Sequence, residues 1–194
     1  RPLLIRSGQQ EGLSIINPDM VEKVGFSAGG FDAKYGDKMS SVLDIQYKKV
    51  KGYEGAFSAS MLGASAYWGY GNDKFSMTNA LRYKTTAYLL GSLDTEGEYE
   101  PSDFDYQTYL SWSPSSRWTV DFIGNISRNN YDFTPSSRTT KFGTAEDLKE
   151  FKVYFDGMEK DEFHTYFGAL SVYHNFNKYK NLSLTYSAFD SREK

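Results

Sequence analysis

Cysteine is absent from the 194 residues, which excludes disulfides and thiolate-rich metal sites. Histidine is nearly absent, with His164 and His174 the only two. No stretch of about 18 consecutive apolar residues occurs, so no transmembrane helix is expected. A membrane-crossing strand would escape that test, because only its alternate residues need be apolar. There is no basic run either. With a net charge of -3 and a pI near 5.5, a nucleic-acid partner has no electrostatic support. No initiator methionine or signal peptide opens the sequence, and Ser191-Arg192-Glu193-Lys194 follows directly on a strand-like segment. The sequence therefore reads as a segment of a longer chain.

What is abundant is aromatic. Phe, Tyr and Trp make up 17% of the residues, yet the mean hydropathy is -0.60. Apolar residues restricted to alternate positions reconcile the two. In Trp118–Ser127 the series Trp118, Val120, Phe122, Ile126 opposes Thr119, Asp121, Asn125, Ser127. Tyr106, Leu110 and Trp112 oppose Asp105, Gln107 and Ser111. Phe75, Met77, Leu81 and Tyr83 oppose Ser76, Thr78, Arg82 and Lys84. Tyr166, Leu170, Val172 and Phe176 oppose Ser171, Tyr173 and Asn175, and Leu182, Leu184 and Tyr186 oppose Ser183, Thr185 and Ser187. A first segment from Phe57 to Tyr67 reads as one row of Phe57, Ala59, Met61, Gly63, Ser65 and Tyr67. Period two is the strand signature. The segments run roughly ten residues, near the ~9–11 that cross a bilayer as a tilted strand. Aromatic residues gather at segment ends (Tyr67, Trp68, Trp112, Trp118, Tyr131, Phe133), as in interfacial girdles.

The connections read alternately short and long. Gly69-Tyr70-Gly71-Asn72-Asp73, Ser113-Pro114-Ser115-Ser116 and Asn177-Lys178-Tyr179-Lys180-Asn181 are short. Residues 86–103 and 134–162 are long, and are expected to be extracellular loops because outer-membrane barrels pair short periplasmic turns with long outer loops. Within the second, Thr144 followed by Glu146 and Asp147 predicts a capped short helix over 144–151.

Catalytic, cofactor and metal residues are not expected. His174 reads as an interfacial residue on the apolar row. His164 beside Asp161 and Glu162 reads as a loop end. The acidic Asp94–Asp105 stretch lacks EF-hand spacing. Gly69-Tyr70-Gly71 reads as a hairpin turn, and Ser191–Lys194 matches a Ser-x-x-Lys motif in form only. Asp121, Asn125, Tyr109 and Tyr173 would face inward, against wall neighbours or a solute path.

Residues 1–51 differ in character: Gly-rich and weakly periodic, joined to the rest at Lys48-Lys49-Val50-Lys51. They carry Val21-Glu22-Lys23-Val24, then Gly29-Gly30-Phe31, Lys34-Tyr35-Gly36-Asp37, Ser40-Ser41 and Val42-Leu43-Asp44-Ile45. This pattern resembles the end of the plug domain of TonB-dependent outer-membrane receptors, in the form found in the Bacteroidetes lineage. Gly29 and Gly30 would permit positive φ at a tight turn. Tyr35-Gly36 would close a second turn, and Ser40 and Ser41 would let the last strand lie close to neighbouring backbone. The resemblance implies an all-β chain. Residues 1–51 would be the C-terminal part of a plug, and 52–194 about six strands of an antiparallel transmembrane barrel. It also implies energy-coupled uptake of an unidentified nutrient ligand in the Gram-negative outer membrane. The implied partners are the TonB complex, reached through regions outside this segment, and outer-membrane lipid. Rival readings are a porin-like or adhesin-like barrel and a soluble β-sandwich binding module.

Overall fold

A computed structural model of the chain describes residues 16–30, 35, 41–85, 97–135, 138–144, 147–154 and 157–194. Among these, strands dominate, and every pairing is antiparallel. No described helix is long and apolar enough to cross a membrane.

After a 3-10 turn at Pro18–Met20, β1 (Val21–Ser27) pairs with β2 (Val42–Tyr47) in a sheet of their own. The main sheet begins at Gly52. It holds β3 (Gly52–Ser60), β4 (Gly63–Gly71), β5 (Phe75–Thr85), β6 (Gly97–Ser115), β7 (Trp118–Pro135), β10 (Glu159–Asn177) and β11 (Lys180–Glu193). These lie side by side in chain order, with β11 and β3 at the two edges. Between β7 and β10 the chain forms a separate hairpin of β8 (Arg138–Thr144) and β9 (Asp147–Val153).

Three sequence expectations need correction. First, the row from Phe57 to Tyr67 is two strands, not one, folded back at Met61-Leu62. A two-residue turn inverts the parity of the second strand: Phe57 pairs with Ala66, so Tyr67 lies on the opposite face from Phe57. Second, the helix expected over 144–151 is replaced by β9. Its partner strand supplies the backbone hydrogen bonds that a short isolated helix struggles to repay. Third, the strands are longer than expected: β6 and β10 each hold 19 residues and β7 holds 18. Polar residues that read as loop are strand: Asp103 finds Lys84 across the ladder, and Lys160 finds Asp132. The long connections therefore shrink from 86–103 to 86–96, and from 134–162 to 136–158, the latter interrupted by the β8–β9 hairpin.

The ends of the sheet differ. At one end the connections span only 72–74, 116–117 and 178–179. Two of these are closed by asparagine side chains: Asn72 Oδ1 accepts from the backbone N–H groups of Lys74 and Phe75, and Asn177 Oδ1 from those of Tyr179 and Lys180. At the other end lie the tight turn at 61–62 and both long connections. Short and long connections thus alternate only from β4 onward.

The two faces of the sheet carry opposite chemistry. One face buries Ser76, Thr78, Arg82, Asp105, Gln107, Ser111, Asn125, Ser127, Asn129 and Thr165. The other exposes Trp68, Leu81, Tyr83, Phe104, Trp112, Trp118, Ile126, Tyr166, Leu170, Leu184 and Tyr186. A water-soluble antiparallel sheet hides its apolar face and wets its polar one. Here the order is inverted.

Candidate functional site

The buried polar face is where residues 17–20 meet the sheet. Pro18 cannot donate a backbone hydrogen bond, and Asn17 caps the 3-10 turn by accepting from the Asp19 N–H at 3.0 Å. The turn directs Met20 onto the main sheet, where it is fully buried against Tyr67, Ala80 and Tyr109. Asn17 N–H donates to Gln107 Oε1 at 2.9 Å, and Gln107 Nε2 donates to Tyr47 Oη at 3.1 Å. The Tyr47 ring stacks on Tyr109, centroids 5.2 Å apart. Lys48 N–H donates to the Met20 carbonyl, so the two arms of the contact hold each other.

The joint that follows is laid directly on β4. Val50 N–H donates to Ser76 Oγ at 2.8 Å. A β-carbon on Gly71 would collide with the Val50 carbonyl, and one on Gly69 would press on the Val50 side chain at 3.0 Å. These glycines end a strand rather than form the hairpin turn expected of them; what they provide is room for a crossing chain. The lysines of the joint are tied as well, Lys48 to Glu54 at 3.4 Å and Lys49 to Asp121 at 3.7 Å. Replacing Gly71 with valine is expected to destabilise the protein by about 1–3 kcal/mol, read as a lower unfolding midpoint. Gly25→Ala, whose β-carbon meets nothing closer than 3.7 Å, serves as the near-neutral control.

Beside Tyr47 a cavity of about 480 Å³ lies between the β1–β2 hairpin and the main sheet, lined by Glu22, Gln46, Lys49, Tyr109, Asp121 and Tyr173 among others. Phenol, amide, carboxylate and ammonium groups equip it to hold water or a polar solute by hydrogen bonds. On the same face of the sheet, toward its long-connection end, Arg82 Nε donates to Asp105 Oδ2 at 2.6 Å, with both side chains at most 7% exposed. Asn129 Nδ2 donates to Asp103. Neither side-chain atom of buried Asn125 has a hydrogen-bond partner among the described residues.

No family model matches the sequence. No match was found among curated proteins or solved structures either. Geometry and residue chemistry therefore carry the functional reading.

The residues of the sequence motif are distributed as follows. Val21 opens β1 opposite Tyr47, and Glu22 lies at a register shift beside it and lines the cavity. Gly29 and Gly30 adopt φ of 100° and 63°, the left-handed turn that glycine permits. Asp44 sits in β2 opposite Gly25 and is exposed. Ser41 precedes β2 and is also exposed, so it does not serve close packing as expected. Tyr35 forms a bend, while Gly36 and Ser40 lie outside the described residues. The motif thus flags the hairpin, but the docking contacts come from Asn17, Met20, Tyr47 and Val50. The Asn-Pro-Asp signature of a capped turn at 17–19 is the one sequence signal that could have pointed to them.

Both histidines lie on the apolar-faced side of the sheet. His174 is wedged between the rings of Trp118 and Phe176, with centroids 4.1 and 4.3 Å away. His164 is a strand residue of β10 rather than a loop end, 2.7 Å from Glu162.

Proposed function

We propose that the chain is part of an outer-membrane β-barrel receptor of the TonB-dependent kind. Residues 1–51 form the end of the plug and 52–194 the first strands of the wall. The observation that carries the reading is the inverted sheet. Its continuous apolar face suits hydrocarbon, and its polar face suits a plugged or hydrated lumen. An outward row from Trp118 to Ile126 covers eight strand steps of about 3.3 Å, or ~26 Å along the strand. Once tilted, that length is on the scale of the ~25 Å apolar band of such barrels. Docking of residues 16–20 and 47–50 on the polar face is what a plug joined to its barrel requires. The unpaired edges at β3 and β11 are where a closed barrel would continue, since a lone open sheet leaves both edges available for association. The long connections gather at one end, which in this reading faces outward and contributes to ligand capture. Ligand binding there acts by favouring one plug arrangement over another.

The full-length parent, expressed in a Gram-negative cell, is expected in the outer-membrane fraction as a heat-modifiable band. A soluble periplasmic parent would overturn the reading and favour a sandwich. Retention of a purified periplasmic TonB domain by the detergent-solubilised parent is expected as well. An outer-membrane parent that does not retain it would be a porin-like or adhesin-like barrel.

A further inference from the structure

The apolar face is crossed by a trench. Thr108, Gly124, Gly168 and Ala188 are direct cross-strand partners on β6, β7, β10 and β11, so four small residues form one row. Two residues along the strands on one side stand Tyr106, Ile126 and Tyr166; on the other side stands Phe122. Between them is an open groove of about 360 Å³. The floor is open at Gly168, where a β-carbon would find nothing closer than the Phe122 ring at 3.9 Å, whereas at Gly124 that ring and the Thr108 methyl lie 3.2 Å from the same position.

Beyond the ridge of Tyr106, Ile126 and Tyr166, which drops to Asp190 on β11, lies a charged row. Four residues up β10 from Gly168, about 13 Å at 3.3 Å per residue, is His164. Its cross-strand partners are Arg128 on β7 and Arg192 on β11. An even spacing keeps these side chains on the same face as the trench. Lys194 and Glu162 exchange backbone hydrogen bonds one step beyond. Glu162 pairs with Arg128 at 2.5 Å and with His164 at 2.7 Å, and Asp190 pairs with Arg192 at 2.8 Å. The cations Arg128, Arg192 and Lys194 outnumber the carboxylates Glu162 and Asp190. Arg128 and Arg192 are 55% and 71% exposed. Exposed pairs of this kind hold weakly, and a guanidinium fork can exchange a carboxylate for a phosphate without losing its geometry.

We infer that trench and row together seat one phospholipid of net negative charge from the surrounding bilayer, its acyl chain over Gly168 and Ala188 and its phosphate on Arg128 and Arg192. The inference rests on the outer-membrane reading. An apolar slot alone would accept any chain, and a basic row alone any anion. Their alignment on one face, about 13 Å apart along the strand, selects a molecule with both parts.

The test uses the full-length parent, exchanged from bilayers containing phosphatidylglycerol or phosphatidylcholine into detergent, with retained lipid counted by native mass spectrometry. Wild type is expected to keep one phosphatidylglycerol and not phosphatidylcholine. Excess glycerol phosphate, which lacks the chain, is expected not to displace it. Arg128→Ser with Arg192→Ser removes two charge-assisted contacts, and Gly168→Leu fills the slot. Each is expected to cut retention by about tenfold or more, with heat-modifiability confirming that the variant is folded. Should Gly168→Leu fail to fold, the arginine pair, which is exposed, decides the matter alone. Retention unchanged in every folded variant would overturn the inference, and displacement by glycerol phosphate would reduce the site to an anion site. A parent absent from the outer membrane would sink the receptor reading itself. A membrane-inserted parent that retains no lipid would sink only the lipid seat.

Discussion

In the proposed barrel, placing an arginine at Phe122 is expected to destabilise the bilayer-inserted parent by about 2–4 kcal/mol, the cost of a cation at mid-depth on a lipid-facing wall. Phe122 lies on the apolar face, flanked by Leu110 and Leu170 as cross-strand partners. The same substitution at Thr119, half-exposed on the polar face near the short-turn end, is expected to cost much less, because water or polar neighbours can receive the charge there. Equilibrium unfolding of both variants in lipid vesicles measures the difference. Similar costs at the two positions would mean that the two faces do not meet different solvents. The contrast between faces matters more than either value, since it cancels the intrinsic cost of arginine in a strand.

The second large effect is expected at the Arg82–Asp105 pair. Replacing Asp105 with alanine leaves the buried guanidinium without its carboxylate, and such losses cost about 3–5 kcal/mol. Removing both charges together, as Arg82→Met with Asp105→Leu, is expected to recover most of that loss, because a buried pair is often no more stabilising than apolar residues of similar volume. The difference between single and double variants is the coupling between the side chains, readable as an unfolding midpoint in a double-mutant cycle. A double variant as unstable as Asp105→Ala would mean that these side chains serve the wall through other partners.

How much of this was legible from sequence depended on how far each signal reached. Alternation is local, and it assigned the faces of β5, β6, β7, β10 and β11 correctly from their own residues. It failed at Met61-Leu62, where a tight turn without Gly, Asn or Asp at its centre left the alternation looking continuous and placed Tyr67 on the wrong face. It failed again at residues 97–103 and 159–162, where acid-rich strand ends resemble loop until their cross-strand partners are known. The Thr144 cap signal was real as a local preference but was outweighed by a partner strand. Least legible of all was the docking surface. Met20, Gln107 and Val50 lie far apart in the chain, and nothing in their immediate neighbourhoods announces contact. The glycines at 69 and 71 were visible, but their reason, the passage of Val50 across β4, belongs to tertiary structure.

The most direct test of the inverted sheet is a cysteine scan along β7 from Val120 to Ser127 in the full-length parent. The chain carries no native cysteine in these 194 residues to confuse the labels. Each single cysteine would receive an environment-sensitive fluorophore, and quenching by a lipid-soluble quencher in vesicles would be recorded. Labels at positions 120, 122 and 126 are expected to be strongly quenched, and those at 121, 125 and 127 to be protected. Quenching that lacks this two-residue period, or that peaks at 121, 125 and 127, would contradict the account.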